Sequence, residues 1–179
     1  MALTLLTGPA ASGKSRLAAE LAARWRGRVD VVATAEGLDE EMRARIERHR
    51  AERPEGWRVH EEPLDLEGAL GLVPPDAFVI VDCLTLWTSN LLGAGEQPGA
   101  VVGLAHDAAG VVAARTAPTV VVTNEVGWGI VPVNELARSY RDLLGRVNAA
   151  FAQRADRAWL VVAGRVLPLL PADEAELQP

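Results

Sequence analysis

The chain has 179 residues, 49% of them hydrophobic and 23% charged, and a formal net charge of −6, the profile of a soluble globular domain that can bury a core. The acidic balance argues against a general nucleic-acid surface but allows local basic patches. A single cysteine, Cys83, excludes an internal disulfide and a cysteine metal cluster, in keeping with a reducing cytoplasm.

In chain order, the N-terminal MALTLLTGPA lacks a basic leader and turns into a glycine loop after a short apolar run. It predicts neither a signal peptide nor a membrane span. Ala2 to Leu6 reads as a buried strand, and Leu17, Leu21 and Trp25 mark a helix ended by Gly27. Val29 to Ala33 is a second strand, and Asp39 is placed to cap a charged helix that runs to Arg53 before Pro54.

WRVHEEP can hold a short strand, and a weak helical pattern covers Leu64 to Leu72. Phe78 to Asp82, FVIVD, is the continuous apolar run that a strand buried on both faces requires. A helix through Leu92, a glycine-rich loop to about Gly99 and an alanine- and valine-rich helix precede the strand TVVVTNE, Thr119 to Glu125. After the loop VGWGIVP come a long helix marked by Leu136, Tyr140, Leu143, Val147 and Phe151, and the strand AWLVVAG. The acidic, proline-punctuated end, LPLLPADEAELQP, reads as loose, with residues 171–179 as a flexible tail beyond one domain at 1–170. Alternating strands and helices predict an α/β fold of the P-loop type, a mostly parallel central sheet with helices on both faces.

The first strand leads into GPAASGKS, which is Gly8, Pro9, Ala10, Ala11, Ser12, Gly13, Lys14 and Ser15, and the next helix follows at once. This is the full phosphate-loop pattern in its required context. Glycines let the backbone curl so that N–H groups and a helix N-terminus face phosphate oxygens. Lys14 can reach the β- and γ-phosphates, and Ser15 can hold Mg²⁺. A strand ending in Asp82 supplies the acid that holds or orients that ion.

His49 lies among Arg45, Arg48, Arg50 and Arg53 on the helix after Asp39, and shares a face with Met42 and Ile46. Two readings fit. The ring completes a half-buried stripe, or it is a nucleophile beside an arginine cluster suited to a triphosphate, one crossover from the phosphate loop. Helix geometry does not separate them.

Almost the whole chain, about Leu3 to Gly164, resembles the bifunctional cobinamide kinase / cobinamide-phosphate guanylyltransferase family of adenosylcobalamin biosynthesis. The stretches that carry the resemblance include TGPAASGKS, VVATAEGLDEEMRARIERHRAERPEGWRVHEEP, VDCLTLWTSNLL, TNEVGWGIVPVNELARSYRDLLGRVNAAFAQRAD and LVVAG. It implies phosphorylation of adenosylcobinamide with ATP or GTP, then transfer of GMP from GTP to that phosphate through a GMP–histidine intermediate. The histidine at the matching position is His49. His60 and His106 lie outside the motif and read as surface or packing residues. By the same match Ala33, Thr34, Ala35, Arg50, Ala51, Glu52, Arg53, Glu61 and Asp82 line the GTP site, and the protein is a cytoplasmic homotrimer.

Glu125, at the strand ends where such sheets bind ligands, either accepts the proton of the substrate hydroxyl or orients the corrinoid arm, or else is a loop carboxylate that caps a neighbouring helix. Arg138, Asp142 and Arg146 at four-residue spacing predict a salt-bridged face. Trp128, between glycines, is placed to touch a large corrinoid, whereas Trp25 and Trp159 read as core. The chain departs from the family pattern at Ala11, where an arginine is usual, and at Pro9, where a glycine is frequent; the lost cation bears on the efficiency of the kinase step. Two other readings are a P-loop small-molecule kinase with a structural His49, and a nucleotide-binding module without catalysis.

Overall fold

The structure is a computed structural model that describes residues 3–171. Its strands are β1 (Leu3–Thr7), β2 (Val29–Ala33), β3 (Arg58–Glu61), β4 (Phe78–Asp82), β5 (Thr119–Val122), β6 (Arg157–Val162) and β7 (Arg165–Leu169). The helices are α1 (Lys14–Ala22), α2 (Glu40–Ala51), α3 (Leu66–Leu72), α4 (Leu84–Gly93), α5 (Pro98–Ala113) and α6 (Glu135–Ala152). The strands form one seven-stranded sheet in the order β3-β2-β4-β5-β1-β6-β7, and only the β6–β7 pair is antiparallel.

Period-two alternation divides the strands between two cores. Leu5, Val79, Val81 and Val121 pack with Trp87, Val101, Leu143 and Phe151 from α4, α5 and α6. Their neighbours Leu6, Phe78, Ile80, Val120 and Val122 pack on the other face against Ala18 and Ala22 of α1. Each fully buried side chain of this kind contributes about 1.5–3 kcal/mol, so a one-residue slip of register would reverse the burial of both layers. The buried Arg115 fastens the α3–β4 connection by donating to the carbonyls of Val73, Pro74 and Ala77.

The main differences from the sequence reading have local causes. Helix α1 stops at Ala22, and a tighter turn with bonds from Arg24 N to Leu21 O and from Trp25 N to Ala22 O continues it. Trp25 is therefore 38% exposed at the rim, tilted against Phe78. Helix α5 starts at Pro98, whose fixed φ suits a first helical position. The expected loose end begins instead with β7. Ala163 and Gly164, both at positive φ, make the two-residue hairpin turn, and Pro168 is tolerated because β7 is the sheet edge. Residues 172–179 of the expected tail lie outside the described residues. The predicted salt-bridged face of α6 is replaced by a different arrangement: Asp142 pairs with Arg141, and Arg138 turns back to the carbonyls of Pro132 and Val133.

His60 has a structural partner. The Asp30 side chain, 0% exposed, accepts from Arg28 at 2.5 and 2.6 Å and lies 2.6 Å from His60 Nε2, which ties β3 to β2. Burial pushes the Asp30 carboxyl up, but the hydrogen bonds and charges of Arg28 and His60 hold it below the usual aspartate range. A depressed carboxylate contributes stability that is fully present above the ordinary aspartate value and is lost as pH falls through the lower native one. Asp30→Asn is accordingly expected to cost roughly 1–3 kcal/mol at neutral pH. The gap to the parent should narrow as pH falls below the ordinary aspartate range. Urea unfolding at pH 7 and in acid measures both, and a gap independent of pH would refute the assignment.

Candidate active site

Parallel register brings the C-terminal ends of four strands into one line, with Ala33 beside Asp82, Asp82 beside Val122, and Val122 beside Leu6. Ligands bind at this edge in open α/β sheets, and the phosphate loop rises from it after β1. Gly8 has φ 139° and Gly13 φ 99°, conformations that glycine adopts without steric cost. Ala11, at φ 56°, holds a left-handed position on the exposed crest of the loop with a side chain that disfavours it. The loop is braced on both sides: Glu125 N donates to Gly8 O at 3.1 Å, and Gly164 N, in the β6–β7 turn, donates to Ser12 O at 2.9 Å.

Gly8 has a second constraint. A Cβ there would lie 2.3 Å from the Val161 carbonyl oxygen of β6. Gly8→Ala should therefore destabilise the fold by roughly 2–5 kcal/mol and displace the cradle. The midpoint of chemical unfolding, read beside triphosphate affinity, checks this; an unshifted midpoint would mean that the loop relaxes freely.

Lys14 is buried, and its Nζ donates to Gly8 O at 2.9 Å, Pro9 O at 2.7 Å and Ser12 Oγ at 3.3 Å. Burial is the main cause that lowers its pKa, opposed by the charge of Asp82. Ser15 Oγ donates to Asp82 Oδ1 at 3.4 Å, and Asp82 Oδ2 lies 3.8 Å from His49 Nδ1. The imidazole therefore faces the phosphate loop and the strand-end acid, with 32% of its side chain exposed. A cavity of about 410 Å³ brings together Gly13, Lys14, Ser15, Arg45, His49 and Asp82, within the range of small-ligand sites.

The face shared by Met42, Ile46 and His49 turns inward as the spacing predicts, although α2 buries none of its residues fully. Asp39 caps the helix by accepting from Met42 N at 2.7 Å. A second pocket between α2 and the sheet gathers Ala33, Ala35, His49, Arg50, Arg53 and Glu61. Arg50 pairs with Glu61, and burial, partly opposed by Asp82, pulls the Arg53 guanidinium below its ordinary value. Cys83 lines the same pocket, but burial pushes its thiol up to about 11, so it stays protonated and inert at neutral pH.

Not every predicted position faces these cavities. Thr34 is fully buried; its hydroxyl donates to Cys83 O and accepts from Cys83 N, stitching β2 to the turn after β4. Ala10 and Ala51 are exposed, and neither lines these pockets although their chain neighbours Ala11, Arg50 and Glu52 do. Glu125 sits beneath the loop, where Oε1 accepts from Thr7 Oγ1 at 2.8 Å and from Asn148 Nδ2 at 3.2 Å. Neither member of that network was legible, because Thr7 falls between the strand read to Leu6 and the phosphate loop, and Asn148 reads as one polar position on a helix. Arg16 and Trp57, which line a third pocket of about 340 Å³ with Glu52 and Arg53, were also missed as site residues; the HRAERPEGW stretch held the signal for Trp57.

A phosphate-binding turn between a central parallel strand and a helix, facing a strand-end acid, defines a P-loop nucleotide-binding protein. The fold agrees: a solved type III secretion system ATPase superposes with a TM-score of 0.56 at 11% identity, over 88% of this chain and 50% of that one. Residues 4–169 match the cobinamide kinase / cobinamide phosphate guanyltransferase family. The chain is 42% identical over 166 residues to the bifunctional adenosylcobalamin biosynthesis protein CobP of Pseudomonas aeruginosa, covering 92% of this chain and 95% of that protein. It is likewise 42% identical over 176 residues to the CobU protein of the same description from Salmonella typhimurium, covering 90% and 96%. The chain belongs to the cobinamide kinase / cobinamide phosphate guanyltransferase family, and its function is that pair of reactions in adenosylcobalamin biosynthesis. Among the described residues no helix is long and apolar enough to cross a membrane.

Proposed function

We propose that a single cradle carries both reactions, with Lys14 and the loop amides gripping the triphosphate and His49 acting as the guanylyl carrier. The observation that carries this is the common cavity shared by Lys14, Ser15, Asp82 and His49. In the kinase step the terminal hydroxyl of adenosylcobinamide attacks the γ-phosphorus of ATP or GTP and the nucleoside diphosphate leaves. Glu125, held by Thr7 and Asn148, takes the hydroxyl proton, while the Lys14 ammonium exchanges loop carbonyls for phosphate oxygens.

In the second reaction an imidazole nitrogen of His49 attacks the α-phosphorus of GTP; a P–N bond forms and pyrophosphate departs. The phosphate of adenosylcobinamide phosphate then attacks the same phosphorus, the P–N bond breaks, and adenosylcobinamide-GDP is released. Covalent relay replaces one encounter between two anions by two displacements at a positioned imidazole. Arg45 and Arg53 screen the charge on the phosphate under attack.

Among the described residues no group of three or more His, Cys, Asp or Glu could hold a metal ion. One hydroxyl and one carboxylate, Ser15 and Asp82, fit Mg²⁺, which takes most of its oxygen ligands from phosphates and water. Bound there with the triphosphate, Mg²⁺ would neutralise phosphate charge. Ala33, Ala35, Arg50, Glu52 and Glu61 complete the GTP site in this reading, and Thr34 shapes it from behind. Residues 1–170 act as one catalytic domain, and family resemblance supports a cytoplasmic homotrimer. Incubation with Mg²⁺ and α-labelled GTP tests the proposal. Acid-labile, base-stable label on the protein is expected, and γ-phosphate consumption without label would leave a kinase with a structural His49.

A further inference from the structure

The cavity above the phosphate loop has unlike walls. Helix α2 supplies Arg45 and His49, whereas the opposite wall reaches Asn124 at the end of β5. One residue on, Glu125 is bonded through its backbone to Gly8, and from there the chain leaves as an exposed apolar loop. Trp128 is 65% exposed, Ile130 96%, Val131 59% and Val133 98%. Isolated exposed apolar residues are common, but a run of them on one loop marks an interaction surface.

This loop is tied down at both ends. At its start, Asn124 N donates to Thr85 Oγ1 at 3.0 Å, and the Tyr140 hydroxyl donates to Thr85 O at 3.0 Å. At its far end, Arg138 donates to the carbonyls of Pro132 and Val133 at 2.9 and 2.7 Å. The chain thus presents apolar side chains to solvent from a fixed position beside the phosphate-transfer site.

We propose that Trp128, Ile130, Val131 and Val133 form the platform on which the corrinoid ring system rests, with its hydroxyl-bearing arm reaching past Asn124 and Glu125 to the triphosphate. The kinase half of the family's activity requires the acceptor hydroxyl to meet the γ-phosphate, so the bulk of the acceptor must lie next to the cradle. The α2 side is cationic and matches phosphates; the loop is the neighbouring surface whose chemistry matches a large, largely apolar macrocycle. Continuity with the cradle is what favours this occupant over a second copy of the chain.

The test uses Trp128→Ser and Ile130→Ser in the full chain, since both side chains are exposed and carry little of the fold. The expected result is a KM for adenosylcobinamide in the kinase step raised about tenfold in each variant, with KM for ATP unchanged. Labelling by α-labelled GTP, which needs no corrinoid, should proceed at the parent rate, and sedimentation should give the parent mass. Trp128→Phe should recover most of the affinity. An unchanged corrinoid KM overturns the proposal. So does a changed assembly mass, which would assign the loop to a subunit contact, and so does a parallel loss of labelling, which would mean damage to the cradle. The inference rests on the corrinoid kinase activity and not on the role of His49: a parent protein that takes up no label would sink the histidine reading and leave the KM comparison intact.

Discussion

Replacing His49 by alanine is expected to abolish protein labelling by α-labelled GTP and to cut guanylyl transfer by at least about 10⁴-fold. Phosphorylation of adenosylcobinamide should fall by less than about tenfold, because the proposed γ-phosphoryl transfer relies on Lys14 and the loop amides instead of the imidazole. The ring is one-third exposed and lies 3.8 Å from Asp82, beyond hydrogen-bonding distance, so stability should change by about 0.5 kcal/mol or less. His49→Asn adds a control that keeps polar bulk without a phosphate-accepting ring nitrogen; it should behave like the alanine variant. Rapid-quench measurement of labelled protein, beside a separate kinase assay, decides the matter. Guanylyl transfer that survives in either variant would mean direct attack by the corrinoid phosphate on GTP.

Lys14→Ala is expected to behave differently, lowering both activities by roughly 10²–10³-fold in kcat. In the proposed single cradle, the Nζ that bonds Gly8 O and Pro9 O meets the β- and γ-phosphates, and these carry the developing charge in both reactions. In phosphorylation it gathers on the γ-phosphoryl group and the leaving diphosphate; in guanylylation it gathers on departing pyrophosphate. Lys14→Arg should not rescue, because a planar guanidinium is too large for a buried site bounded by loop carbonyls. If Lys14→Ala lost the kinase step but labelled His49 normally, triphosphate would have to bind in two places, and the single-cradle reading would fail. The contrast between the two variants is more informative than either alone.

Much of this architecture was legible because the signals were strong and local. FVIVD and VDVVA have the continuous apolar character of doubly covered strands, and both appear with the boundaries the sequence predicts. GPAASGKS constrains backbone, charge and context over one turn, so its structure follows from few contacts. Strand β7 was hidden because Pro168 signals a break and the hairpin turn before it, Ala163-Gly164, lacks the usual asparagine or aspartate. Pairing with β6 outweighed both. The α6 charge pattern misled for another reason: four-residue spacing makes an ion pair possible, but Arg138 found two carbonyls at its own helix start.

By itself the sequence determined the parallel α/β class, the triphosphate cradle and, through long matching stretches, the family. Spacing along α2 left His49 equally a packing residue and a nucleophile, because a helix face has no preferred partner until the sheet beneath it is assembled. Tertiary structure decided that the ring shares one cavity with Lys14 and Asp82. It also decided that Glu125 is held by Thr7 and Asn148, and that the apolar loop after β5 is anchored beside the cradle. Those relations join residues far apart in the chain, and long-range register is set by packing the whole sheet rather than by any local pattern.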